Sequence, residues 1–276
     1  MNRLLDSFWR AAAYCLHPRV IALSFLPLIL LLALSMTLGY FFWDRAVDAT
    51  RAWLDASDLM STLLGWLTSA GAARLKGVVA PLLVVFAATP VLVMVSLLVV
   101  ALLMTPALTR MVAARRFPEL ARKQGAGPWT GLAWALGSTA LALVALIASL
   151  PLWLIPPLAL VLPPLIWGWL AYRVMAYDAL AEHASSEERR AIFRRHRLSL
   201  LGMGVLTGYL GAAPSLVWAS GALFAAAFIV LVPVAIWIYA LIFAFSSLWY
   251  AHFTLAALEE LRNETLMHQS EADQIP

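Results

Sequence analysis

The side chains able to do chemistry in this 276-residue chain are few, and they are clustered. The five histidines, at positions 17, 183, 196, 252 and 268, lack the short spacings by which neighbouring ligands hold a metal. Cys15 is the single cysteine, which excludes an internal disulfide and a multi-cysteine metal cluster. The chain carries no phosphate loop, no dinucleotide fingerprint and no nucleophile elbow. No catalytic constellation and no cofactor are expected. What remains is positive charge. Arg110, Arg115, Arg116, Arg122 and Lys123 stand against Glu119 alone, and Arg189, Arg190, Arg194, Arg195 and Arg197 stand against Glu187 and Glu188. Basic segments of this kind orient a membrane protein, and a basic helix can also bind lipid or a partner. Arg173 and His252 fall near the ends of apolar runs, where they can reach the interface. No charge is evident in mid-membrane, where a proton pump or a coupled cation carrier would need one. An uncoupled channel, or an anion site built from helix N-termini, stays open.

The elements that must position these charges are membrane elements. The chain is 63% hydrophobic and only 12% charged, with a net charge of +4. A soluble domain is nearer half apolar and a quarter charged, so too little polar surface remains here to cover a soluble core. The basic residues flank apolar runs, which argues against nucleic acid as a partner and for the lipid bilayer. Leu198 to Leu258 holds no Lys, Arg, Asp or Glu. As one straight helix it would be roughly 90 Å long, against a hydrocarbon core of about 30 Å, so it must fold back, with Gly211, Pro214 and Gly221 as the expected bend.

From the N-terminus, residues 1–17 pattern as an amphipathic helix: Leu4, Leu5, Phe8, Trp9, Ala12 and Leu16 recur at helical spacing. It is expected in the headgroup plane with Trp9 and Tyr14 as anchors, the alternative being a helix packed in a protein core. Val20–Trp43 is too long for a signal-peptide core and reads as a spanning helix that starts at Pro18. Residues 44–76 mix acids and bases around an apolar stripe that includes Val47, Trp53 and Leu54, and are expected as one or two short amphipathic helices on the far membrane face. Gly77–Thr109 is a second long apolar run, which Pro90 and Pro106 could kink. Gln124–Tyr172 carries Pro151, Pro156, Pro157, Pro163 and Pro164 at its centre and reads as two apolar helices around a proline-rich bend. Ser185 followed by Glu188 fits a capping box that opens the Arg-rich helix. Gly204-x-x-x-Gly208 allows close helix approach, within the protomer or between copies.

The expected fold is therefore an all-α integral membrane protein. It has two long transmembrane helices, two apolar helical hairpins that either cross or penetrate partway, and interfacial amphipathic helices. A single membrane domain covers 1–262 and a C-terminal tail 263–276. The basic excess places the N-terminus, 110–127, 178–197 and the C-terminus in the cytoplasm and 44–76 on the other side. Asn263-Glu264-Thr265 matches a glycosylation acceptor but lies on the expected cytoplasmic side.

Several of these features together resemble the CysZ sulfate-permease family, which is grouped with the etoposide-induced membrane proteins. The N-terminal amphipathic helix runs into Leu16-His17-Pro18, with Pro27 nine residues after Pro18. Tyr177-Asp178 is similar to a Tyr/Asp element of that family, and the Arg-rich helix 187–197 leading into Leu201-Gly202 resembles the stretch before its last hairpin. The resemblance implies a bacterial inner-membrane protein linked to sulfate uptake, with two long helices, two partly penetrating hairpins and a homo-oligomeric state. It also implies an anion-binding turn where the first long helix begins. There the family's Gly-Leu-Arg is replaced by Arg19, Val20 and Ile21. Arg19 would then supply the cation beside the N–H groups of residues 20–22, or it would anchor the helix to lipid phosphates.

The functional reading is a permease or channel for an inorganic anion, with sulfate as the named candidate. A membrane adaptor or assembly protein without transport activity is the alternative, and a membrane enzyme stands third.

Overall fold

This computed structural model of the chain describes residues 2–57, 62, 73–123, 125, 127–218 and 221–272. Those residues form helices and no strand: α1 (Asn2–Cys15), α2 (Pro18–Ser24), α3 (Leu26–Ala56), α4 (Ala73–Arg116), α5 (Pro128–Ser149), α6 (Pro156–Ala181), α7 (Ser186–Arg195), α8 (Arg197–Trp218) and α9 (Gly221–Ala272), with a 3-10 turn at Leu150–Leu154 between α5 and α6. Among the described residues, five stretches are long and apolar enough to cross a membrane: Pro18–Ala56, Gly77–Arg116, Trp129–Leu154, Pro157–Ala181 and Pro233–Ser270. The protein is an all-α membrane protein.

The chain divides into two compact bodies, Met1–Ser24 with Ala101–Pro276, and Phe25–Val100. In the second, Val47 and Leu54 of α3 lie two turns apart and bury against Ala80 of α4, flanked by Val79 and Val84. These are members of the apolar stripe expected over 44–76, yet α3 runs without a break to Ala56. The separate surface helices expected from residue 44 onward are therefore corrected as far as residue 56. Charge ends the lipid-compatible stretch but does not end a helix, and Arg51 and Asp48 even pair across one turn at 3.4 Å. Residues 58–61 and 63–72 lie outside the described residues.

In the first body α9 is the element around which the others assemble. On one side α1 lies against it: Phe8 meets Trp249 edge-on, with ring centroids 5.1 Å apart, and the Trp249 indole N–H donates to Ser7 Oγ at 3.1 Å. On another side the Tyr250 hydroxyl donates to the Leu200 carbonyl of α8 at 2.9 Å. Trp237 of the same helix donates to Ser24 Oγ of α2 at 2.9 Å. The helix α1 is thus packed against protein along one face while Leu5 and Trp9 stay exposed on the other. Tyr14, expected as a membrane anchor, instead meets the His252 ring, with centroids 4.8 Å apart.

The proline-rich run forms two helices around a bend, as expected, but the bend is shorter than the spread of prolines suggests. The break is confined to Leu150–Ile155, and Pro163 and Pro164 both lie inside α6. Pro156 and Pro157 sit in the first turn, where a missing N–H is no loss. Pro164 would leave the carbonyl of Leu160 without its helical donor, but the Tyr209 hydroxyl of α8 donates to that oxygen at 3.1 Å. A neighbouring helix thus supplies what proline removes, and the helix continues. Gly211 and Pro214 likewise lie inside α8, which runs on to Trp218, so the break expected over 211–218 is corrected; residues 219–220 lie outside the described residues. The tail expected over 263–276 is helical as far as Ala272.

The contact between α6 and α8 explains the Gly-x-x-x-Gly pattern. A Cβ on Gly204 would fall on the Gly168 carbonyl oxygen, and one on Gly168 would stand 2.6 Å from the Val205 backbone nitrogen. Two backbones meet where no side chain fits, which is how helices gain contact in a solvent as apolar as their side chains. Gly202, two residues away, meets nothing within 4 Å. Gly204→Ala should therefore destabilise the protein by about 1–3 kcal/mol through overpacking, while Gly202→Ala should be neutral or gain up to about 1 kcal/mol of helix propensity. Thermal unfolding in detergent separates the two; equal melting temperatures would contradict the close approach.

Candidate functional site

Three groups of functional side chains lie in the first body. The earliest is the start of α2, where Arg19, Val20 and Ile21 were expected to meet an anion. Arg19 is exposed, Val20 is fully buried and Ile21 is half-buried. The backbone N–H groups are engaged by His17: that of Arg19 by the His17 ring at 3.2 Å, and those of Val20 and Ile21 by the His17 carbonyl at 2.9 and 3.1 Å. His17 thus caps the helix start, and a ligand there would meet side-chain charge in place of open backbone donors. Arg115 Nη2 stands 3.0 Å from His17 Nε2, so a second guanidinium joins Arg19 near this turn. Sequence reasoning missed Arg115 because 98 residues separate it from His17.

The second group is a set of ion pairs that gathers distant segments. Glu188 accepts from Arg262 Nε at 3.0 Å and Nη2 at 3.1 Å, from Lys123 Nζ at 2.7 Å and from the Ser185 N–H at 2.8 Å. The Ser185 hydroxyl in turn accepts from the Glu188 N–H at 3.2 Å, completing the capping box read from the sequence. Arg262 also donates to the carbonyls of His183 at 2.6 Å and Ala121 at 2.9 Å. Nearby, Arg110 pairs with Glu182 at 2.6 Å and Arg116 with Asp6 at 3.1 Å; Arg195 donates to Glu264 at 2.9 Å, and Arg3 pairs with Glu260. The N-terminal helix, the stretch 110–123, the stretch 182–195 and the stretch 260–264 therefore meet at one end of this body. Burial opposes ionisation of Glu188, but the Arg262, Lys123 and Ser185 hydrogen bonds outweigh it and hold the carboxyl at about 2. The Arg10 hydrogen bond holds Asp6 below its ordinary value against a smaller burial effect.

The third group is a cleft of about 490 Å³ at the open end of the α5–α6 hairpin, lined by Thr130, Ala133, Trp134, Tyr177, Ser186, Arg189, Arg190 and Phe193. Trp134 and Tyr177 stack, with centroids 5.2 Å apart and planes 21° apart. The Arg189 guanidinium lies 4.2 Å from the Tyr177 ring centroid and that of Arg173 lies 3.9 Å from the Trp134 ring. Tyr177 and the Arg-rich helix were singled out in the sequence; Trp134, a single residue in an apolar run, carries no signal that would have joined it to them. No group of histidine, cysteine or carboxylate side chains able to hold a metal occurs among the described residues.

A family model described as "Sulfate transporter CysZ/Etoposide-induced protein 2.4" matches residues 7–220. No curated protein and no solved structure matches the chain.

Because the Glu188 carboxyl is depressed from about 4.5 to about 2, its contribution is present above the unfolded value and is lost as pH falls through the folded one. At neutral pH that difference is on the order of 3 kcal/mol. Glu188→Gln should lower the melting temperature at pH 7, and the gap to the parent should shrink as pH falls from about 5 toward 2. A gap independent of pH would contradict the assigned role.

Proposed function

The chain belongs to the sulfate transporter CysZ/etoposide-induced protein 2.4 family, and from that premise we propose that it is a bacterial inner-membrane permease that conducts an inorganic anion, sulfate first. The observation that carries this reading is the family match over 7–220, which takes in α1 to α8, eight of the nine helices among the described residues, in whole or in part. The spans and the arginine-rich end support it. A path for a divalent anion needs positive charge at its mouth and no resident carboxylate to repel it. The turn at His17–Ile21 is proposed as that mouth, with Arg19 and Arg115 as its cations. Arg19 is exposed and Arg115 Nη2 lies beside His17, while the backbone N–H groups of Arg19, Val20 and Ile21 are already engaged, so binding there would depend on side-chain charge.

Sidedness follows the same rule. Two segments rich in Arg and Lys, 110–123 and 182–197, meet at one end together with the N-terminal helix and the stretch 260–264, and the positive-inside bias assigns that end to the cytoplasm. Both termini then lie in the cytoplasm, and copies of the chain assemble through the apolar helix faces left exposed.

Uptake of radiolabelled sulfate by a strain lacking its own sulfate importers tests the reading. Cells carrying the chain should take up sulfate above cells carrying an empty vector. Losing one charge-assisted contact weakens binding by about 1.5–3 kcal/mol, so Arg19→Ala should raise the half-saturating sulfate concentration about 10- to 100-fold, with Arg19→Lys retaining part of the parent affinity. No uptake despite normal membrane insertion would favour the non-transporting adaptor. Parent-like uptake in Arg19→Ala, Arg115→Ala and their combination would move the anion site elsewhere.

A further inference from the structure

The cleft between α5, α6 and α7 holds an arginine whose surroundings ask for an anion. Seven basic groups at this end have carboxylate partners: Arg3, Arg10, Arg110, Arg116, Lys123, Arg195 and Arg262. Arg189 and Arg190 form no ion pair among the described residues, and Arg189 Nη1 is buried without a hydrogen-bond partner. A buried guanidinium donor left unmade is unfavourable, so an acceptor from outside the chain is called for. The Arg189 guanidinium lies against Tyr177, an arrangement that occupies its face and leaves its planar fork of N–H donors for an oxyanion. Arg190 is exposed on the same lining, and no carboxylate is among the lining residues.

Place and size select the kind of oxyanion. Thr130 and Trp134 lie in the first turns of one apolar span and Tyr177 in the last turn of the next, with the Trp129 indole 81% exposed beside them. Indole at a span end marks the headgroup level. A volume of about 490 Å³ falls in the range of small-molecule clefts, roughly 300–1,000 Å³, and is some sixteen times the ~30 Å³ share of one water. A four-oxygen anion alone would leave most of it empty. The rings of Trp134, Tyr177 and Phe193 face the remainder, so the ligand has an apolar part as well as a charged one.

We propose that this cleft binds the phosphate of an anionic phospholipid between Arg189 and Arg190, with the glycerol and first acyl carbons against Trp134, Tyr177 and Phe193. The site is distinct from the turn at His17–Ile21 and does not depend on which anion the chain conducts. Binding would tie the Arg-rich helix α7 to the α5–α6 hairpin at the lipid surface.

Native mass spectrometry of the full-length protein in detergent tests this, with phosphatidylglycerol and phosphatidylcholine added in equal amounts. The parent should retain phosphatidylglycerol in preference, and Arg189→Gln/Arg190→Gln should lower the retained ratio about tenfold, while Arg194→Gln, an exposed arginine outside the cleft, should leave it unchanged. Arg190→Gln alone, at an exposed position, should lower retention severalfold and serves if the double variant does not fold. Equal retention by the parent and a folded cleft variant would overturn the proposal. Displacement of the lipid by sodium sulfate beyond that by sodium chloride at matched ionic strength would also overturn it, because the cleft would then be a site for the free inorganic anion. Persistence of the lipid in sulfate supports it.

Discussion

Glu188 is the residue on which the charged end depends. Its carboxylate takes hydrogen bonds from Arg262 on α9, from Lys123 after α4 and from the Ser185 N–H at the start of α7. Arg262 then reaches past it to the carbonyls of Ala121 and His183, so a single ionic cluster binds three connecting regions. Beneath it Leu180, Ala184, Ile192, Ala257 and Leu258 form a buried apolar cluster. The combination is not an isolated surface ion pair, which would contribute little. It is a bidentate, partly buried contact over a packed base, and removing one partner would leave the other desolvated and uncompensated.

Away from that end the chain has almost no charge to work with, and lipid offers no hydrophobic drive between helices. Contact is gained instead by backbone approach, as at Gly168 and Gly204, and by single hydroxyl or indole donors that reach across to another helix: Tyr209 to Leu160, Tyr250 to Leu200, Trp237 to Ser24. Each donor lies on a helix other than its acceptor, so each bond holds a pair of helices in register. Much apolar surface remains exposed, including Leu32, Phe86, Val144 and Leu160, which is the surface a bilayer covers.

Legibility in the sequence follows the range of the interaction. The all-α membrane class and the positions of the long spans were readable because apolar runs and flanking arginines are local signals. The capping box at Ser185 and Glu188 was readable for the same reason, but its third partner, Arg262, lies 74 residues from Glu188 and was not. Pro163 and Pro164 were read as helix-breaking because the compensating donor, Tyr209, is 49 residues from Leu160. Residues 44–56 were read as leaving the first long helix because charge marks the edge of lipid, which is a statement about solvent and not about backbone. At the candidate anion turn the sequence points to Arg19, but not to its surroundings. His17, directly before Pro18, takes the N–H groups that the reading had left open, and Arg115 arrives from a distant helix end.

If the arginine-rich segments 110–123 and 182–197 form one cytoplasmic face, that face is closed to an impermeant reagent in intact cells. The native thiol is a poor reporter, since burial raises Cys15 to about 11, and it is removed as Cys15→Ala. A single cysteine replacing Arg194, exposed on α7, is then challenged with a membrane-impermeant thiol reagent. No labelling is expected in intact cells and full labelling in inside-out vesicles; labelling in intact cells would place the arginine-rich end outside and contradict the cytoplasmic assignment.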